Sequence, residues 1–488
     1  MVDNLHSLLS NNSKQKYTFK GVSGRIVYMA FSYFFLFISE LTFLSLVTQL
    51  YDQMNFKYLG NISVFVIYAF FGLGNFISPY ITQKFNVKWL QFLCALILTG
   101  FISIGILVSS CSDHQDDDLF ICKKPLIYAL VIFITAINGI NSAVLWSSQS
   151  AFMMFFCKLY PEKEGNLIGM FWSIFQLSQG LGSIVAFILL KYFSQTLFMV
   201  FMTGIAGLGA FMLFFYEDIP IHIIKQSEIQ LSQNSQYSYA FSETTRKRIV
   251  KFKKILLSND MQSYFSFFFM NGVAIAFYSS YLYIIIQSSL GYSLDTAQLN
   301  DEQKQDINIK TTYVFTVLGF SEILAAAICS KLMGKIHYTK VAYFSNIILQ
   351  LCVVFSFTAY FLQSYALCFV CGFLWGFIDC FQISVASYIC QVKFNGQIES
   401  FSIFRLFQGL GVMITILISI FMESLAQYYF IFVILCFQIL SSSLMLSQFN
   451  KENYNEILTI KQKSAQQSII QLDLKGSKGD SFQLNQPS

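Results

Sequence analysis

Trp172–Gly182 reads WSIFQLSQGLG, and Phe401–Gly411 reads FSIFRLFQGLG. Eight of the eleven positions are identical, at an offset of 229 residues. Self-similarity at a fixed spacing marks a duplicated architecture. Each copy ends in Gly-x-Gly and sits in a long apolar stretch. In lipid there is no hydrophobic force between helices, so small residues that let backbones approach become the packing device. Gly180, Gly182, Gly409 and Gly411 are therefore read as helix-packing positions, with Gly72 and Gly74 beside them.

The chain around the repeat has 488 residues, 55% hydrophobic and only 12% charged, with a mean hydropathy of +0.57. A soluble domain carries about 25% charged residues. That deficit excludes a soluble enzyme, a disordered scaffold and a nucleic-acid binder. Twelve stretches reach the about 20 apolar residues that cross a bilayer: 26–50, 59–82, 89–110, 126–156, 167–190, 196–216, 261–290, 311–332, 341–362, 365–389, 401–422 and 428–446. Lipid offers backbone groups no partners, and runs of this length are helices rather than barrel strands. The polar interruption at 217–260 splits them six and six. The expected organisation is a tail at 1–22, a first six-helix bundle at 23–216, the central loop, a second bundle at 261–447 and a disordered tail at 448–488. The repeat maps span five onto span eleven. Both run in the same direction, so the halves are parallel repeats, as in the major facilitator fold.

Lys and Arg set the orientation. With both termini in the cytoplasm, 24 fall on the cytoplasmic side, 6 on the other, and Arg405 alone lies within a span. Residues 1–22 are polar and do not form a cleavable leader.

Ionisable groups at membrane depth are costly and are functional candidates by default. Glu40 and Glu322 lie near the middles of spans one and eight. Asp379 is about 18 Å from the cytoplasmic end of span ten, at 1.5 Å per residue. Two readings stay open. Glu40 and Asp379 form a proton or cation site or a gate, or Arg405 pairs with Asp379 or Glu322 and only holds helices together. In span four, Asn138, Asn141, Trp146 and Gln149 either contact a polar ligand or bond between helices.

Cys111 and Cys122 share one non-cytoplasmic loop, CSDHQDDDLFIC, and are disulfide candidates. A metal site on His114 and Asp116–Asp118 fits no standard ligand spacing, so no metal or other cofactor is expected. Arg246–Lys254, RKRIVKFKK, is either a segment on an anionic leaflet or plain positive-inside charge. No catalytic constellation or phosphate loop is present, so an enzyme is not expected.

Four stretches carry a family resemblance: Leu59–Lys84 (LGNISVFVIYAFFGLGNFISPYITQK), Leu145–Phe152 (LWSSQSAF), Leu374–Gln382 (LWGFIDCFQ) and Glu399–Gly411 (ESFSIFRLFQGLG). Together they resemble the uncoordinated-93 (Unc-93) family, a branch of the major facilitator superfamily. Ser150, Phe152 and Ile383–Val385 depart from its patterns, and Lys84–Trp89, KFNVKW, replaces the basic loop of ordinary porters. The resemblance implies spans one, four, seven and ten around a central cavity, with Glu40 and Asp379 on it. It also implies a seam of spans two, five, eight and eleven, with Glu322 and Arg405 near it. It implies an accessory role, regulating or trafficking a channel or receptor. The alternative is a secondary transporter of a small solute or ion by alternating access, proton-coupled through Glu40 and Asp379. Either protein is integral to the bilayer, in the plasma membrane or an internal one.

Overall fold

The computed structural model describes residues 18–113, 120–160, 163–217, 245–293, 299–333 and 335–420. Of the last apolar stretch it describes 429, 432–440, 442–444 and 446–447. The expected tail at 448–488 and the residues His114 and Asp116–Asp118 lie outside them.

The helices are α1 Phe19–Gln53, α2 Leu59–Lys84, α3 Val87–Asp113, α4 Lys124–Leu159, α5 Glu164–Tyr192 and α6 Gln195–Phe215. The short α7, Thr245–Leu256, precedes α8 Asn259–Ala276. A π-turn at Phe277–Tyr281 joins α8 to α9 Leu282–Ser289, and together they form one span. Then come α10 Asp301–Leu332, α11 Tyr338–Phe361, α12 Tyr365–Val392 and α13 Ile398–Ile420. Eleven spans among the described residues are long and apolar enough to cross a membrane. A shorter apolar helix, α14, follows at Phe432–Leu444.

Two helices outrun their apolar stretches because polar turns cap them. Thr18 Oγ1 accepts from the Gly21 N–H at 3.2 Å, so α1 starts inside the expected tail. Asn300 and Gln303 form a reciprocal capping box that starts α10 in the polar run DEQKQDINIK. Such a box satisfies two otherwise orphaned N–H groups, a signal that hydropathy does not carry.

Within the first half α1 packs on α5 and α6, α2 on α4, and α3 on α4 and α6. Within the second, α8 packs on α13, and α12 on α10 and α11. The halves meet along α5 against α10 and α2 against α13. Apolar side chains that no helix covers, such as Phe133, Phe211 and Phe361, point outward. Bilayer hydrocarbon is the solvent that suits them.

The repeated glycines occupy equivalent places in this scheme. In each copy the first glycine meets the opposite half. A Cβ at Gly180 would lie 3.3 Å from Gly319 C of α10, and one at Gly409 would lie 3.3 Å from Gly72 N of α2. The second glycine meets the first helix of its own half. A Cβ at Gly182 would strike Thr42 of α1, and one at Gly411 would sit 3.0 Å from Val273 N of α8. Span one corresponds to span seven, and span two to span eight. The duplication read in eleven letters is therefore also a duplication of contacts.

Cys111, at the end of α3, is bonded to Cys122 with an S–S distance of 2.04 Å. The two residues close the loop between α3 and α4.

Candidate functional site at the seam between the halves

We call the end of the bundle where α1 starts and α7 lies the basic end. Arg405 stands two turns into α13 from that end, held by the repeat that packs α13 on α2. Its guanidinium carbon lies 4.5 Å from the ring centre of Trp146 and 5.8 Å from that of Trp172, both in the first half. Phe404 flanks it at 4.9 Å. Arg405 Nη1 donates to Gln408 Oε1 at 2.8 Å, and Gln408 Nε2 donates to Asn271 Oδ1 on α8 at 2.6 Å.

Of the two readings left open, the ion pair between Arg405 and Asp379 or Glu322 is not formed among the described residues. One turn along α13, Gln408 takes the guanidinium instead, and the tryptophan faces take its charge. A desolvated cation–π contact contributes about 2 kcal/mol, a sizeable part of the ~3 kcal/mol or more that an arginine at membrane depth costs.

Trp146 is the centre of an aromatic box. It stacks on Trp172 at 5.8 Å with 14° between the planes. Phe37 and Phe175 close it at 5.1 and 5.3 Å, and Tyr33 at 5.9 Å. Every wall of this box belongs to α1, α4 or α5, so the first half builds it and the second half fills it.

The three interior carboxylates are buried. Glu40 Oε2 on α1, Glu322 Oε2 on α10 and Asp379 Oδ1 on α12 have no hydrogen-bond partner among the described residues. Asp379 Oδ2 accepts from the Tyr278 hydroxyl in the π-turn at 3.4 Å. The π-turn widens the helix where that tyrosine sits, and such turns occur often at functional sites. Tyr68 on α2 is within electrostatic reach of Glu40, Asp379 and Arg405, and Tyr278 is within reach of Asp379 and Glu322. The structure thus gathers Glu40, Asp379, Glu322 and Arg405 around two tyrosines that reading the sequence did not single out.

The span-four residues divide. Asn141 Nδ2 donates to Cys94 O at 2.8 Å and ties α4 to α3. Gln149 Oε1 accepts from Ser150 at 3.4 Å. Asn138 lies beside the Glu40 carboxyl group, and its Oδ1 accepts from Asn141 Nδ2 at 3.4 Å. Trp146 meets Arg405.

Toward the basic end three hydroxyls lock the seam. Ser147 on α4 bonds Ser78 on α2 at 2.7 Å, and Ser402 on α13 lies 3.3 Å from each. A Cβ on Gly396, in the α12–α13 turn, would meet Met154 of α4 at 2.9 Å. Both contacts join the halves on the same side of Arg405, so the bundle is shut at its basic end.

The profile of the Major Facilitator Superfamily matches residues 29–416. The chain belongs to the major facilitator superfamily. It is accordingly an integral multi-pass membrane protein, transporter-like in architecture. A comparison with curated proteins returns no match. Arg405, from the second half, bridges this seam onto Trp146 of the first.

Proposed function

We propose that this protein is a secondary transporter that moves a small solute by alternating access, with Glu40 and Asp379 as its coupling groups. The observation that carries this reading is the set of buried carboxylates on α1, α10 and α12 with no cation within ion-pair distance among the described residues. A static packing role is served by satisfied groups, because an unpaired buried charge destabilises a fold. A carboxylate left unpaired at membrane depth suits a group that takes and releases a proton or a substrate.

The halves at 23–216 and 261–447 rock about the seam, and the basic end, shut by Arg405, is the cytoplasmic one. The test uses proteoliposomes loaded with a pH-sensitive dye and challenged with pools of small solutes. A solute-dependent proton flux in the wild type that Asp379→Asn abolishes, with the variant still monodisperse, is expected. A flux that Asp379→Asn leaves unaltered ends the coupling assignment.

The second reading is the accessory one, in which an Unc-93-like protein regulates or traffics a channel or receptor. It is favoured by the α2–α3 connection, where Lys84–Trp89 lacks the acidic and arginine residues of the porter loop. Gentle purification from native membranes tests it. A stoichiometric polytopic partner supports it, and a lone protein returns the transport reading.

A further inference from the structure

We propose that the seam between the halves binds an organic cation, an ammonium or guanidinium group on an apolar body, between the carboxylates of Glu40 and Asp379 and the face of Trp146. This rests on the transport reading and names its substrate class.

Two independent observations carry it. The first is charge. The buried carboxyl groups of Glu40, Glu322 and Asp379 each lie within electrostatic reach of Tyr68 or Tyr278, and Arg405, the one Lys or Arg buried among the described residues, bonds Gln408 and lies on the face of Trp146 rather than against any of them. Glu40 Oε2 and Asp379 Oδ1 point into the protein with nothing to accept from. A cationic solute entering here supplies the counter-charge that lets buried carboxyl groups ionise, whereas an anionic one supplies none.

The second observation is the box. Its walls are aromatic faces, the surface that attracts organic cations through the ring quadrupole. In this structure a guanidinium occupies it, and that guanidinium comes from the opposite half. When the halves part at the basic end, Arg405 leaves with α13 and the face of Trp146 becomes free. Purely inorganic ions have no use for an aromatic wall.

The test is equilibrium binding of radiolabelled tetraphenylphosphonium to the purified full chain in detergent, with tetraphenylborate as the anion of the same size and shape. Saturable binding of the phosphonium alone is expected, weakened tenfold or more in Glu40→Gln and Asp379→Asn and severalfold in Trp146→Ala. Each variant is compared with Glu302→Gln, a change outside the site. The isostere pair on the wild-type protein decides the matter even if a variant fails to fold.

Equal binding of the two isosteres overturns the inference, as does phosphonium binding indifferent to both carboxylate variants. So does thermal stabilisation by sodium chloride with none by the phosphonium. Phosphonium binding without any flux in proteoliposomes keeps the site and removes the transport reading. Flux of a neutral or anionic solute that the phosphonium does not compete with keeps transport and removes this site.

Discussion

The guanidinium of Arg405 lies 4.5 Å over the ring of Trp146, and the two residues belong to opposite halves of the bundle. In the internal repeat Arg405 takes the place of Gln176. One half therefore carries a neutral amide where the other carries a cation, and the contact it makes has no counterpart across the pseudo-symmetry. An asymmetric bridge at a symmetric seam gives the bundle one strong latch on one side of its midplane.

Arg405→Lys tests the latch. Lysine keeps the charge but loses the planar face that stacks on tryptophan and the fork that reaches Gln408. The expected outcome is a shift toward the state open at the basic end, by about 1–2 kcal/mol, or roughly a factor of ten in population. Cys390, buried in α12 beside Ser400, reports it. Its labelling by a water-soluble maleimide, read by peptide mass spectrometry, should rise severalfold in Arg405→Lys and in Trp146→Ala. Unchanged labelling in both variants removes the latch.

The glycine contacts make a graded prediction. A Cβ at Gly319 would run into the backbone of Gly180, whereas one at Gly409 finds its nearest neighbour, the Phe71 ring, at 3.1 Å. Backbone cannot yield and a side chain can. Gly319→Ala is expected to lower the melting temperature in detergent distinctly, at a cost of about 1–3 kcal/mol. Gly409→Ala should cost less, and Gly204→Ala, which meets nothing within 4 Å, should match the wild type. A reversed order would mean that the α5–α10 contact is looser than described.

Much of this was legible in the letters, and the repeat shows why. Gly-x-Gly is a local signal whose partner is fixed by helix order, so the seam glycines could be named before any contact was seen. The intramembrane charges could also be named, because polar residues are rare in apolar runs. Their partners could not. Trp146 was itself a candidate, one of four tryptophans, but nothing in the letters pairs it with Arg405 across the halves. Tyr68 and Tyr278 are hidden among 27 tyrosines. Gln408 was within reach, since the repeat conserves it as Gln179 while Arg405 departs. The extensions of α1 and α10 were missed because hydropathy ends where capping begins.

Cys111 and Cys122 close a short loop, eleven residues apart in sequence. A cross-link over so short a loop stabilises mainly by restricting the unfolded chain, by about 2–3 kcal/mol. Cys122→Ser, or a reductant, should lower the melting temperature of the wild type, and a reductant should do nothing further to the variant. In non-reducing conditions after unfolding, a mass-tagging maleimide should count nine thiols in the wild type, the number of free cysteines. Eleven would show the bond to be absent.

Helix α7 holds to the membrane domain through Lys251 and Phe252, with Ile255 and Leu256 packed against the core behind them. Lys251 Nζ lies 3.3 Å from Glu399 Oε2 at the foot of α13, and Phe252 packs on Phe76 of α2 at 5.5 Å. Glu399 is buried while Lys251 is about one-third exposed, with side-chain accessibilities of 2% and 34%. An exposed pair contributes under about 1 kcal/mol, but reversing one charge beside a buried acid adds repulsion that the site cannot screen. Lys251→Glu should therefore lift α7 from the bundle, at a cost on the order of 2 kcal/mol. Chymotrypsin cleavage after Phe252 measures that opening, since cutting tracks the population of the open segment. A rise on the order of tenfold is expected for Lys251→Glu and none for Lys254→Glu, which changes the same net charge away from Glu399. Equal rises in the two variants would mean that α7 is held by its overall charge against an anionic surface, and that the pairing with α13 contributes nothing.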